Sequence, residues 1–181
     1  MKFRDAQKKA VERFESTTFL TRIEDEDVTM LKYLPHLQQI NKLGFITVDS
    51  QAGTHTKTSK YEIVERAYLS GFMLEKQAIA FIKTIGIHTD KNAIYVPVGV
   101  DSPSSLDIPL TITKHTKDIQ VTTHMSTTLP KSVEDSYKKI VHLSKSEKGV
   151  FIFCWDPKWS RLASGKEGLF TDIIKSLQSP L

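Results

Sequence analysis

The chain nearly lacks cysteine. Its 181 residues include one, Cys154, so no intrachain disulfide can form. The absence fits a reducing, intracellular compartment, and a cytoplasmic location is expected. No apolar run approaches the roughly 20 residues that cross a bilayer; the longest are Val150–Trp155 and Ala78–Ile82. The opening MKFRDAQKKAVERFES is charged throughout and has no apolar core, so it does not read as a secretory signal. No membrane partner is expected. Long blocks of like charge are missing too, beyond Glu24–Asp27. The 25 Lys and Arg against 21 Asp and Glu leave a net charge of +4, spread along the chain. Phosphate-neutralising proteins gather their cations on one face, so nucleic acid is not an expected partner.

Familiar catalytic and cofactor signatures are absent as well. There is no GxGxxG, Walker A or Gly-x-Ser-x-Gly pattern, and the six histidines show neither HxH nor HExxH spacing. A single Cys in an apolar run makes poor zinc ligation and stays a thiol. No metal and no cofactor is expected, and whether the chain is an enzyme is left open.

What is present is an ordinary globular composition, 39% hydrophobic and 25% charged. A chain this long buries roughly 70% of its unfolded surface and needs no staple. One α/β (or α+β) domain over 1–181 is expected, with residues 1–16 as an amphipathic helix packed on the body. That helix places Phe3, Ala6, Ala10, Val11 and Phe14 on one stripe. Glu24–Asp27 caps a second helix carrying Leu31, Leu34, Leu37, Ile40 and Leu43, with Pro35 in its first turn and Gly44 past its end. Phe45–Val48 reads as a strand and Thr54–Lys60 as a loop. A second strand follows with Glu65 and Arg66 in its middle, pairing antiparallel with the first.

Leu74, Ala78, Phe81, Ile82 and Ile85 predict a helix stopped by Gly86. Ala93–Val98 is a strand whose Pro97, unable to donate to a ladder, points to an edge or a strand end. Asp101–Ser105 is a surface turn. Ile108–Lys114 and Ile119–His124 form a hairpin across His115–Asp118. Val133, Tyr137, Ile140 and Val141 give a helical stripe behind a Ser132/Asp135 capping pattern. Val150–Trp155 is apolar without interruption, which marks a strand covered on both faces. Phe170, Ile173, Ile174 and Leu177 make a last helix. The interleaving predicts a single mixed β-sheet of about six strands with helices packed on it.

Two polar clusters follow strand ends, where open α/β sheets often bind ligands. In the first, Ser50 and Gln51 supply hydrogen bonds and Gly53 lets backbone approach a ligand. In the second, Asp156–Arg161, Trp159 offers a stacking face and Arg161 a fork for a planar anion. Arg66 is the further cation between them, and Asp49 or Asp156 is the candidate general base. Each cluster also has a plain structural reading: an Asx-turn after a strand, an Asp-Pro terminator, and an Arg161 paired with Glu65 or Asp156.

The runs LPHLQQINKLGFITVDSQAG and VERAYLSGFM, with Asp156-Pro157-Lys158-Trp159-Ser160-Arg161 near the end, resemble a domain family of unknown function associated mainly with actinobacteria and also with large DNA viruses. The resemblance rests on Gly44, Phe45, Thr47, Ser50, Gln51, Gly53, Arg66, Ala67, Gly71 and Phe72. Ser160 stands where the family tends to have Gly, and Ala52 where it often has Pro. The resemblance implies no reaction, but it implies that the Ser-Gln loop, Arg66 and the Asp-Pro-Lys-Trp-Ser-Arg loop act together. Two functions remain. One is binding of a small anionic or nucleotide-like ligand. The other is a protein-interaction or structural module, in host cytoplasm or virion if viral, with these residues as internal bracing.

Overall fold

Apolar spacing builds the helices as the stripes require. In the computed structural model, which describes residues 2–15, 31–97, 108–115, 118–125 and 148–179, α1 (Phe3–Glu15) buries Phe3, Ala6 and Phe14. The second helix, α2 (Leu34–Lys42), carries Pro35 in its first turn and buries Leu37 and Ile40. Gly44 then takes φ +102, a left-handed conformation that ends the helix without a Cβ clash. Asn41 locks the helix to the next strand. Its Nδ2 donates to the Leu37 carbonyl and to Thr47 Oγ1, and its Oδ1 accepts from the Thr47 amide.

The strands correct the expected architecture. Instead of a single mixed sheet of about six strands, the described residues form two four-stranded antiparallel sheets. Their elements, in chain order, are β1 (Ile46–Ala52), β2 (His55–Lys57), β3 (Tyr61–Glu65), β4 (Ala67–Leu74), β5 (Asn92–Pro97), β6 (Ile108–His115), β7 (Ile119–Met125) and β8 (Gly149–Trp155). The first sheet runs β1-β4-β8-β5 and the second β2-β3-β6-β7. Thr54–Lys60, expected as loop, contains β2, whose three residues are all exposed and leave no apolar signature. The hairpin from Ile46 to Leu74 changes sheets midway, at Gly53 on one arm and Arg66 on the other. The Arg66 amide donates to the Leu110 carbonyl of β6, while Ala67 pairs with Ala52. Arg66 thus sits at a hinge between strands and not in the interior of one.

Strand β8 lies between β4 and β5 and is covered on both faces, as its unbroken apolar run requires. One face of the first sheet packs Leu69, Ile152 and Cys154 against Leu37 of α2, Phe81 of α3 (Glu75–His88) and Phe170 of α4 (Leu169–Gln178). The other face packs Phe72, Phe151 and Phe153 against Phe3 and Ala6 of α1 and against Ile108 and Leu110 of β6. Each fully buried aromatic or aliphatic side chain contributes about 1.5–3 kcal/mol. Helix α3 runs through Gly86 to His88, two residues past the expected stop, because Gly86 faces open space and nothing forces the chain to turn there. Strand β5 is an edge strand, with Pro97 as its last residue. The expected cap at Glu24–Asp27, the turn Asp101–Ser105 and the helix around Val133–Val141 lie outside the described residues. Among the described residues, no helix is long and apolar enough to cross a membrane.

Candidate functional site

The segment after β8 stitches itself onto the corner of the bent hairpin. The Asp156 amide donates to the Ala67 carbonyl at 2.9 Å, the Ser160 amide to Glu65 at 2.9 Å and the Ala163 amide to Ala52 at 3.0 Å. Two left-handed residues make this fit. Gly53 has φ +73, and a Cβ there would stand 2.7 Å from the Arg161 carbonyl oxygen. Ser160 has φ 60, so the position calls for the conformation glycine adopts most readily. The loops of Gly53 and Arg161 are therefore in direct backbone contact.

The same segment delivers a charge cluster to the end of β8. Asp156 is 0% exposed, and its carboxylate accepts from Arg161 Nε at 2.6 Å and Nη2 at 2.5 Å, a bidentate pair. It also caps its own turn by accepting from the Lys158 amide at 2.8 Å. Arg161 Nη2 reaches further, to both oxygens of Asp90 at 2.8 and 2.9 Å. Beneath them lies Lys91, just before β5, with its side chain fully buried. Its Nζ bonds Asp90, stands 3.1 Å from Asp172 in the first turn of α4, and lies 3.6 Å from Asp156. Two cations, Lys91 and Arg161, thus face three carboxylates, and the fully buried Asp156 is paired as a buried charge requires. Among the described residues no cluster of His, Cys, Asp and Glu is arranged to hold a metal ion.

Above this network is an open polar cavity of about 620 Å³ between the end of α3, the 158–167 loop and α4. Asp90 and Asp172 form its floor, with Ile87, His88 and Thr89 on one wall. Lys158, Lys166 and Lys175 stand around it with Glu167. Lys158 Nζ is 3.4 Å from Asp90, and Lys175 Nζ is 3.3 Å from Asp172. Both lysines are more than half exposed, and Lys175 Nζ also donates to the Lys166 carbonyl at 3.2 Å.

A family model described as a domain of unknown function, DUF6919, matches residues 12–179. The chain belongs to that family. No curated protein matches it.

Within this DUF6919 domain the sequence-derived candidates divide into three groups. Asp156 and Arg161 belong to the charge cluster, directly behind Asp90. Arg66 and Trp159 form a second unit: the guanidinium lies 4.1 Å over the indole centroid, and Arg66 Nη1 donates to the Pro109 carbonyl at 3.1 Å. The stacking face proposed for a ligand is thus occupied by Arg66, whose pKa burial pushes down from its usual value. Asp49, Ser50 and Gln51 lie on β1, where Asp49 Oδ2 accepts from the Tyr68 hydroxyl at 2.8 Å and Oδ1 from the Ser50 amide. Burial raises the Tyr68 pKa, with the Asp49 charge adding to it, so the phenol stays a donor. None of these eight residues, Gly53 included, lines the cavity. Asp156 is sealed and already bonded, which suits bracing better than proton abstraction, where a base must reach its substrate.

Lys91, Asp90 and Asp172 are the residues that sequence reasoning missed. Thr89-Asp90-Lys91-Asn92 reads as a polar turn, and only the pairing of β5 with β8 carries Lys91 to Asp156. One signal was available: Asp172 and Ser176 interrupt the apolar stripe of α4 and are both buried.

The cluster makes stability depend on acid. The Lys91 hydrogen bond, and after it the Arg161 bonds, hold the Asp90 carboxyl well below its ordinary value, outweighing desolvation. A depressed carboxylate contributes stability that is fully present above its unfolded value, near pH 4, and is lost as pH falls below it. Chemical denaturation across pH 7 to pH 2.5 is expected to show a decline that steepens below about pH 4. In Asp90→Asn that low-pH decline should be shallower.

Proposed function

We propose that this domain binds a small anionic ligand in the cavity over the Lys91 cluster. The observation that carries this reading is the ring of Lys158, Lys166 and Lys175 around an open cavity of about 620 Å³, a size in the range of small-molecule sites. Counting the floor, Lys91, Lys158, Arg161, Lys166 and Lys175 exceed Asp90, Asp156, Glu167 and Asp172 by one positive charge. Lys166 has no carboxylate partner among the described residues. The buried cluster holds the floor rigid, so that the mobile lysines close on the ligand while Asp90 and Asp172 stay fixed. Arg161 keeps a role in this reading as the residue that orients Asp90, and Arg66 with Trp159 braces the corner that carries the loop.

The experiment is a calorimetric titration at low salt with inorganic phosphate and pyrophosphate. The parent protein is expected to bind, and Lys166→Ala/Lys175→Ala to lose about tenfold or more in affinity, since each charge-assisted contact contributes about 1.5–3 kcal/mol. No binding by the folded parent overturns the reading. A second reading, a structural or interaction module, is favoured by the complete burial of Asp156 and Lys91, which suits bracing. A parent protein that binds no anion but elutes as a stable oligomer supports that second reading.

A further inference from the structure

The cavity has more room than a bare inorganic anion fills, and its lining is mixed in charge. We infer that the ligand is a hydroxylated phosphate monoester, a phosphate on a polyol or sugar, an inference that rests on the anion-binding reading above. Three features lead there. The lysines come in threes, and a phosphate monoester presents three strong acceptor oxygens with between one and two negative charges. The acids on the floor leave acceptors that an anion alone does not use, so a ligand that also brings donors gains there. Asp90 can receive them, because its side chain is 45% exposed at the cavity and its Oδ2, which accepts from Arg161 Nη2 at 2.9 Å, holds Lys158 at 3.4 Å with its remaining lone pair. When Lys158 swings onto the phosphate, that lone pair is released for a hydroxyl. The same exchange is available at Asp172, where Lys175 stands at 3.3 Å.

The third feature is Ile87, 74% exposed on the cavity wall at the end of α3. An exposed isoleucine beside a polar floor suits the C–H face of a sugar ring. The C-terminal end of α3 lies on the same wall, and its partial negative charge disfavours a second anionic group. Phosphate at Lys158, Lys166 and Lys175, hydroxyls at Asp90 and Asp172, and ring carbons on Ile87 assign six of the nine lining residues.

The test compares ribose 5-phosphate, methyl phosphate and free ribose by calorimetry on the parent protein and on Asp90→Asn, each first checked for a cooperative melt. The parent is expected to prefer ribose 5-phosphate over methyl phosphate by about tenfold or more, the value of one hydroxyl bonded to a carboxylate. Free ribose is expected to bind too weakly to measure. In Asp90→Asn the preference should shrink while methyl phosphate binding persists. Equal affinity for the two phosphates in the parent overturns this inference and leaves anion binding standing. Absence of binding by all three overturns both. Should Asp90→Asn fail to melt cooperatively, the comparison of ligands on the parent decides alone.

Discussion

Replacing Lys91 by methionine is expected to cost about 3–5 kcal/mol, the usual result of removing one partner from a buried ion cluster. The side chain is fully buried, and its ammonium faces Asp90, Asp156 and Asp172. Methionine fills a similar volume, so the loss is one of charge and not of packing. Arg161 still satisfies Asp156 and part of Asp90, whereas Asp172 keeps only Lys175 on the solvent side. Thermal unfolding should report a fall in Tm of about 10 °C or more for a chain of this length. The companion variant Lys91→Met/Asp172→Asn removes the stranded charge as well and should recover about 1–2 kcal/mol of the loss. A Lys91→Met protein as stable as the parent would mean that the cluster is not the buried keystone described above.

Gly53→Ala is expected to be nearly as damaging, about 2–4 kcal/mol. The left-handed φ of +73 costs an L-residue about 1–2 kcal/mol. The new methyl group would also meet the Arg161 carbonyl oxygen at 2.7 Å and the Ala67 amide nitrogen at 2.9 Å, both backbone atoms that cannot swing aside. Because those atoms anchor the 156–163 segment, the loop that carries Arg161 and Lys158 should loosen, and hydrogen exchange there should quicken. Gly86→Ala is the internal control. It sits in the exposed part of α3 with nothing within 4 Å of a new Cβ, so alanine should raise stability by about 0.5–1 kcal/mol. Opposite signs from one chemical change are the expected outcome of paired denaturant titrations.

The contrast between these two glycines shows what the sequence could convey. Gly86 reads as a helix stop, like Gly44, and Gly53 as a place where backbone can approach a ligand. Gly44 does end a helix, while Gly86 lies inside one and Gly53 marks a corner between sheets. Local pattern was enough for β8, whose apolar run can only be a covered strand, and for the hairpin of β6 and β7, where His115 and Asp118 close the turn. For Arg161 it left two partners, Glu65 and Asp156, and the structure pairs it with Asp156, five residues away in one loop. It could not reveal two sheets, because β2 is three exposed residues and Arg66 bears no mark of a bend. The hairpin changes sheets through its partners, Leu110 on one side and Ala52 on the other, and such partners are set by long-range pairing.

The site followed the same division. The sequence led to the loops of Gly53 and Arg161, which do touch, and to a bond between Asp156 and Arg161. It gave no route to Lys91 and Asp172, which meet Asp156 only because β5 pairs with β8 and α4 packs across the strand ends. The polar cluster at Ser50 and Gln51 stood out for its residue types, yet on β1 these side chains lie away from the cavity lining. What brings the cavity together is the return of the chain after β8, with Lys158 and Lys166 on one loop and Lys175 on the helix that follows.

Amide chemical-shift mapping during a titration with ribose 5-phosphate tests the central claim most directly. Shifts are expected to concentrate at Thr89, Asp90, Lys158, Lys166, Glu167 and Lys175, with Ser50, Gln51 and Trp159 little changed. Shifts centred on Ser50, Gln51 and Trp159, or none at millimolar ligand, would contradict it.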